Sequence, residues 1–213
     1  MAKNKKMARN EENTLKGSCL WGILLFCILI AIDLVTKLIA QMQFDPLGTG
    51  MLNGEEIEII PGWISWTLTY NRGISYGMGS DAKTWMKIAV IVGTFVMMVL
   101  LAILYFKMDK RRSFMRTALV FIVAGGIGNF IDRVYYQVWD PTTLLGVRDM
   151  VDLSRFGFAV CNFADFFITG GAVALVLSIL FFDREAVWPL TKKYKALAQE
   201  AAEEKAEKEK KGK

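Results

Sequence analysis

Residues 161–182 read Cys161-Asn-Phe-Ala-Asp-Phe-Phe-Ile-Thr-Gly-Gly-Ala-Val-Ala-Leu-Val-Leu-Ser-Ile-Leu-Phe-Phe182. From Phe163 onward the run is apolar for long enough to cross a hydrocarbon core of ~30 Å, which takes about 20 helical residues. It nevertheless opens on an acid, Asp165, and a second acid, Asp152, lies thirteen positions upstream in Arg148-Asp-Met-Val-Asp-Leu153. An ionised Asp at the centre of a membrane helix costs roughly 2.5–3.5 kcal/mol on insertion scales, so an acid at or inside a span marks a functional site by default. The chain carries four such acids: Asp33, Asp132, Asp152 and Asp165.

Outward from this segment, apolar runs at 18–40, 84–106 and 114–136 join the one at 163–183, in a chain of 213 residues that is 54% hydrophobic. The expected fold is an all-α membrane protein with four transmembrane helices. Between helices 1 and 2, Glu55-Glu-Ile-Glu-Ile-Ile60 and Trp63-Ile-Ser-Trp-Thr-Leu-Thr-Tyr70 carry the β-branched and aromatic alternation of one or two short strands, a small extracytoplasmic β element. Three regions follow: a basic cytoplasmic extension (1–17), a membrane domain (18–183) and a charged cytoplasmic tail (184–213) rich in Lys, Glu and Ala, either a solvated helix or disordered.

Basic residues orient these spans. Lys3, Lys5, Lys6, Arg9 and Lys16 precede the first, Lys107, Lys110, Arg111, Arg112 and Arg116 cluster at 107–116 from the end of the second to the start of the third, and nine follow Phe182. Segment 41–81 holds only Arg72, and 140–160 only Arg148 and Arg155. The positive-inside rule places both termini in the cytoplasm and Asp152 and Asp165 at the outer face. The basic start imitates a secretory signal, but no A-x-A site follows, and Asp33 and Lys37 interrupt the place where the apolar region should end, so the first span is expected to stay; cleavage would leave three.

Several chemistries drop out. The net charge of +5 is spread over cytoplasmic edges, which membrane topology explains without nucleic acid. Cys19, Cys27 and Cys161 are isolated, so neither a disulfide framework nor a CxxC site arises. With no histidine in the chain, zinc sites of the H-E-x-x-H type and Ser-His-Asp triads cannot be built, and no metal or cofactor is expected. Gly73-Ile-Ser-Tyr-Gly77 matches a nucleophile-elbow pattern, but Ser75 would need Lys37 or Lys83 as its base, and a glycine-permitted turn is the simpler reading.

Asp33 and Lys37, four apart, share a helix face, either as an ion pair that neutralises two costly charges or as ligand contacts. In Gly125-Gly-Ile-Gly-Asn-Phe-Ile-Asp-Arg133, small residues permit close helix packing, while Asn129, Asp132 and Arg133 must face the protein interior. Asp132 with Arg133 serves equally as a brace or a reactive group. Asp152, in a loop, and Asp165, in the first turn of the last span, admit three readings. They form a carboxylate pair sharing a proton to activate water, an ion relay, or a helix cap. A transporter relay would want broken spans and acids near the midplane, whereas this pair sits at the outer interface.

At these residues the chain resembles the lipoprotein signal peptidases, the signal peptidase II family of bacterial membrane aspartyl proteases. Asp33-Leu-Val-Thr-Lys37 is similar to the family's D-x-x-T-K, Asn71-Arg-Gly-Ile-Ser-Tyr-Gly77 to its N-x-G-x-x-F-G, and Gly125 to Arg133 to its G-G-x-x-G-N-x-x-D-R. Val151-Asp152 and Asn162-Phe-Ala-Asp165 resemble its V-D-F and F-N-x-A-D. The resemblance implies a metal-free aspartic endopeptidase of the bacterial cytoplasmic membrane. Its substrates would be diacylglyceryl-prolipoproteins, cut just before the lipid-modified cysteine, and its surroundings membrane lipids, with the working unit, a monomer or more, left open. It implies Asp152 and Asp165 as the catalytic pair; Asn71, Gly73, Asn129, Arg133 and Asn162 as residues shaping the substrate site, with Asp33 and Lys37 supporting it; and Asp132 as structural. Tyr76, Leu153 and Cys161 each stand where the family carries Phe, and the stretch between the two acids is short.

Overall fold

The structure, a computed structural model, describes residues 2–73, 82–110, 112–183, 186–189 and 191–211. The rest of the Gly73–Gly77 motif, Ser75 and Tyr76 included, lies outside them. Four helices are long and apolar enough to cross a membrane. The first is the Cys19–Phe44 part of α1 (Ala2–Phe44), followed by α2 (Thr84–Lys107), α3 (Ser113–Tyr135) and α4 (Phe163–Phe181). Each matches its expected apolar run to within a few residues. In α2, Lys107 in the last turn offsets the partial charge of the terminal carbonyls. The tail forms a further helix, α5 (Lys192–Lys211).

α3 is the interior helix. Its most apolar stretch is 61% buried, against 17–22% in the other three, and it packs on α1, α2 and α4. Its small residues explain how. A methyl group at Gly125 would strike the Ala164 carbonyl of α4, at Gly126 the Met98 sulfur of α2, and at Gly128 the Asp33 carboxylate of α1. In lipid, where helices gain nothing from hiding apolar surface from water, such backbone approach supplies the packing. Leu29, Tyr105, Leu119, Val120 and Ala124 form the apolar centre of the half nearer the α2–α3 connection.

The β element has three strands rather than one or two. β1 (Ile57–Ile60) and β2 (Ile64–Asn71) follow α1 as expected, and β3 (Val147–Asp152), arriving after α3, pairs antiparallel with β2 to give the order β1-β2-β3. The sequence reading leaves 147–152 as loop because no apolar/polar alternation is visible there. The reason is that Arg148 and Asp149, pointing to opposite faces, are both buried with polar partners, which removes the period-2 signal. Ala40, Phe44, Leu68 and Met150 dock the sheet on the C-terminal end of α1.

Candidate active site

A polar layer lies where the C-terminal ends of α1 and α3 and the N-terminal end of α4 meet β3. Lys37 Nζ sits 2.7 Å from Asp33 Oδ2 and 3.6 Å from Asp132 Oδ2, with all three side chains fully buried. The i,i+4 spacing therefore yields an ion pair. Asp33 Oδ1 also accepts from the Ala164 N–H at 2.9 Å, so an acid of α1 satisfies a free donor in the first turn of α4. Asp132 pairs with Arg148, whose Nη2 is 2.7 Å from Oδ1. Adjacent helical residues point about 100° apart; Asp132 turns to the core and Arg133 lines a cavity.

Lys37 donates to Asn129 Oδ1 at 2.9 Å, and Asn129 Nδ2 donates to Asp165 Oδ1 at 2.9 Å. Asn162 caps α4: its side chain accepts from Asp165 N, and its own N–H donates to Asp165 Oδ2, both at 3.1 Å. Asp165 is thus the third helical residue of a capping box whose cap is Asn162, which holds the carboxylate at a fixed angle beside the cavity.

The structure brings Asp149, not Asp152, to Asp165. Asn162 Nδ2 donates to Asp149 Oδ1 while the same residue's backbone grips Asp165, and Asn71 Nδ2 donates to Asp149 Oδ2 at 3.1 Å. Asp152 instead accepts from Ser154 N at 2.7 Å, opening the short turn Ser154–Phe156, and does not line the cavity that holds Asp165. Residues three apart on a strand lie on opposite faces, so Asp149 and Asp152 cannot both face α4. The irregularity in this ladder is an extra residue in β2 between Trp66 and Thr69, and β3 itself keeps the alternation.

Asp149 and Asp165 face a cavity of about 580 Å³ with Asn71, Asn129 and Arg133. Its deeper wall is made by Thr94 of α2, Gly126 of α3 and Ile168 and Thr169 of α4. This is the size of a ligand site, with a few convergent polar groups at one end of an apolar lining. Burial, and after it the Asp165 charge, pushes the Asp149 carboxyl up to about 7, against the donations from Asn71 and Asn162. Burial likewise pushes the Cys161 thiol, in the same wall, up to about 12. Gly73 N donates to Asn71 Oδ1 at 2.9 Å, which orients the amide whose other end holds Asp149. Of the residues expected at the site, Asn71, Asn129, Arg133 and Asp165 line the cavity and Asp33, Lys37, Asp132 and Asn162 support them. Asp149 is the member that sequence reasoning missed. The visible signal was two acids in one short polar run; which one faces α4 depends on the strand register.

Residues 25–181 match the sequence model of the family described as signal peptidase (SPase) II. The chain is 32% identical over 179 residues to a lipoprotein signal peptidase of Ectopseudomonas mendocina, covering 82% of this chain and 96% of the relative. It is 32% identical over 164 residues to that of Staphylococcus aureus, covering 75% and 87%. Among solved structures it is similar to a bacterial membrane enzyme determined by the in meso method at 2.3 Å resolution, with a TM-score of 0.60 and 27% identity over 75% of this chain and 87% of the other. A second such enzyme, at 1.9 Å resolution, gives a TM-score of 0.58 at 26% identity over 75% and 92%.

Proposed function

The chain belongs to the signal peptidase II family, and from that premise we propose that it is an aspartic endopeptidase that removes the signal peptide of diacylglyceryl-prolipoproteins just before the lipid-modified cysteine, with Asp149 and Asp165 as the catalytic pair. The observation that carries this reading is the pairing itself: two carboxylates held by one asparagine, Asn162, beside a cavity of ligand size. Such a pair shares a proton and titrates as a unit. One carboxylate takes a proton from the attacking water while the other, carrying the shared proton, gives it to the scissile carbonyl oxygen; the leaving amine is then protonated from the pair. Asn71, Asn129 and Asn162 fix the carboxylates, so little reorganisation accompanies the reaction. Arg133, in the same cavity, supplies a cation beside them.

The positions of Lys and Arg support a multi-pass protein of the bacterial cytoplasmic membrane with both termini inside, which puts the carboxylates at the outer face. There a substrate whose lipid lies in the bilayer reaches the cavity without leaving the membrane. The cavity's lining runs on from the carboxylates to Thr94 of α2, Gly126 of α3 and Ile168 and Thr169 of α4. Purified protein incubated with a diacylglyceryl-modified prolipoprotein is expected to release the signal peptide, seen as a band shift, equally with and without chelator. An intact precursor after incubation with folded protein, or cleavage abolished by chelator and restored by zinc, contradicts the reading.

A further inference from the structure

We propose that Arg148 is a positioning residue for this reaction: by gripping Asp132 with its main-chain N–H and its guanidinium together, it sets the pleat of β3 so that Asp149, next along the strand, faces Asp165. The proposal rests on the carboxylate-pair reading given above.

The grip is unusually complete. Arg148 N donates to Asp132 Oδ2 at 3.0 Å, Nε to the same oxygen at 3.3 Å, and Nη2 to Oδ1 at 2.7 Å. On its far side Nη1 donates to Gln41 Oε1 at 3.0 Å, an oxygen that also accepts from Tyr136 OH at 2.7 Å, and the guanidinium lies 5.3 Å from the Tyr136 ring centre. One side chain of β3 is thereby tied to the C-terminal end of α1 and the last turn of α3. Successive strand side chains point to opposite faces, so fixing Arg148 toward α1 and α3 leaves Asp149 no direction but the cavity. A one-residue slip of the strand would turn Asp149 to the wrong face.

The same carboxylate is linked to the other member of the pair. Asp132 neighbours Lys37, Lys37 donates to Asn129, and Asn129 donates to Asp165. Arg148 therefore stands where a grip on one acid also references the position of the second. Stability alone does not account for it. A buried ion pair seldom outperforms apolar packing of the same volume, and its best-attested use is to specify register.

The test compares Arg148→Lys and Gln41→Leu with the parent enzyme in cleavage of the diacylglyceryl-prolipoprotein, after a thermal melt confirms folded protein. Arg148→Lys keeps a cation for Asp132 but loses the planar fork. Its kcat is expected to fall by about 10²-fold, the scale of a ~1 Å misplacement, with KM little changed. Gln41→Leu is expected to shift kcat in the same direction by less. The pH profile of kcat/KM is the readout a structural role would not move. The groups facing Asp149 are Asp165 from α4, Lys37 from α1, Arg133 from α3 and the amides of Asn71 and Asn162. The variant alters none of these, so drawing Asp149 away from Asp165 is expected to move the alkaline limb of the profile to lower pH. Folded Arg148→Lys with the parent's kcat and profile overturns the proposal, as does a loss of activity that merely tracks loss of folded protein with the profile unchanged. Asp149→Asn, run alongside, separates the two levels. If it turns over normally, the carboxylate-pair reading fails and this proposal with it; if it is dead while Arg148→Lys behaves as parent, only the positioning role falls.

Discussion

At Asp149 opposing influences meet on one carboxyl. Burial and the nearby Asp165 charge disfavour its ionised form, the amides of Asn71 and Asn162 favour it, and the first two prevail, placing the group at about 7. The sign of the pH effect follows. A raised carboxyl holds its proton below that value and loses it above, so a reaction that needs one proton on the pair is expected to decline as pH rises through about 7. A profile of kcat/KM measured from pH 5 to 9 checks this; activity rising steadily to pH 9 contradicts it. At the same scale, Asn71→Ala removes a donor that favours ionisation and leaves one carboxylate oxygen without its partner. Its alkaline limb is expected to move to higher pH, with kcat reduced, in the same assay.

Elements are joined here by charges rather than by apolar surface alone. Lys37 of α1, Asp132 of α3 and Arg148 of β3 form one buried group, with Asp33 reaching on to α4. Removing one partner from a buried ionic group leaves an uncompensated charge, typically 3–5 kcal/mol. Asp132→Asn is therefore expected to lower the thermal midpoint and the yield of purified protein, and a midpoint equal to the parent's would show that the group does not brace the helices. These elements were legible to different degrees. The four spans announce themselves by length and apolarity, and the Asp33–Lys37 pair by its four-residue spacing, because both are local properties of a helix. β3 is not local. Its polar residues are satisfied by Gln41, Asn71, Asp132 and Asn162, distant in the chain, so nothing in the hexapeptide itself distinguishes a buried strand from a loop. The difference in placement between the two acids has the same origin. Asp149 and Asp152 are equivalent in a loop and become opposite only once the segment is a strand.

The whole molecule reads as a membrane-spanning bundle around α3, with its chemistry at one end. The orientation inferred from the basic clusters predicts that a single cysteine at Thr142, an exposed position before β3, reacts with an impermeant maleimide in intact cells, whereas one at Lys107, exposed at the end of α2, reacts only after permeabilisation. The reverse pattern would put the carboxylates on the cytoplasmic side and remove the link to translocated precursors. The fold as a whole delivers two acids from separate places, one on a strand that arrives after the third span and one on the cap of the fourth. The most direct measurement sets Asp149→Asn beside Asp152→Asn in cleavage of a diacylglyceryl-prolipoprotein by folded protein. Loss of one proton-handling carboxylate at nearly constant volume is expected to abolish turnover in the first, and the second is expected to keep most of it. Near-normal cleavage by Asp149→Asn, with Asp152→Asn inactive, would contradict the account.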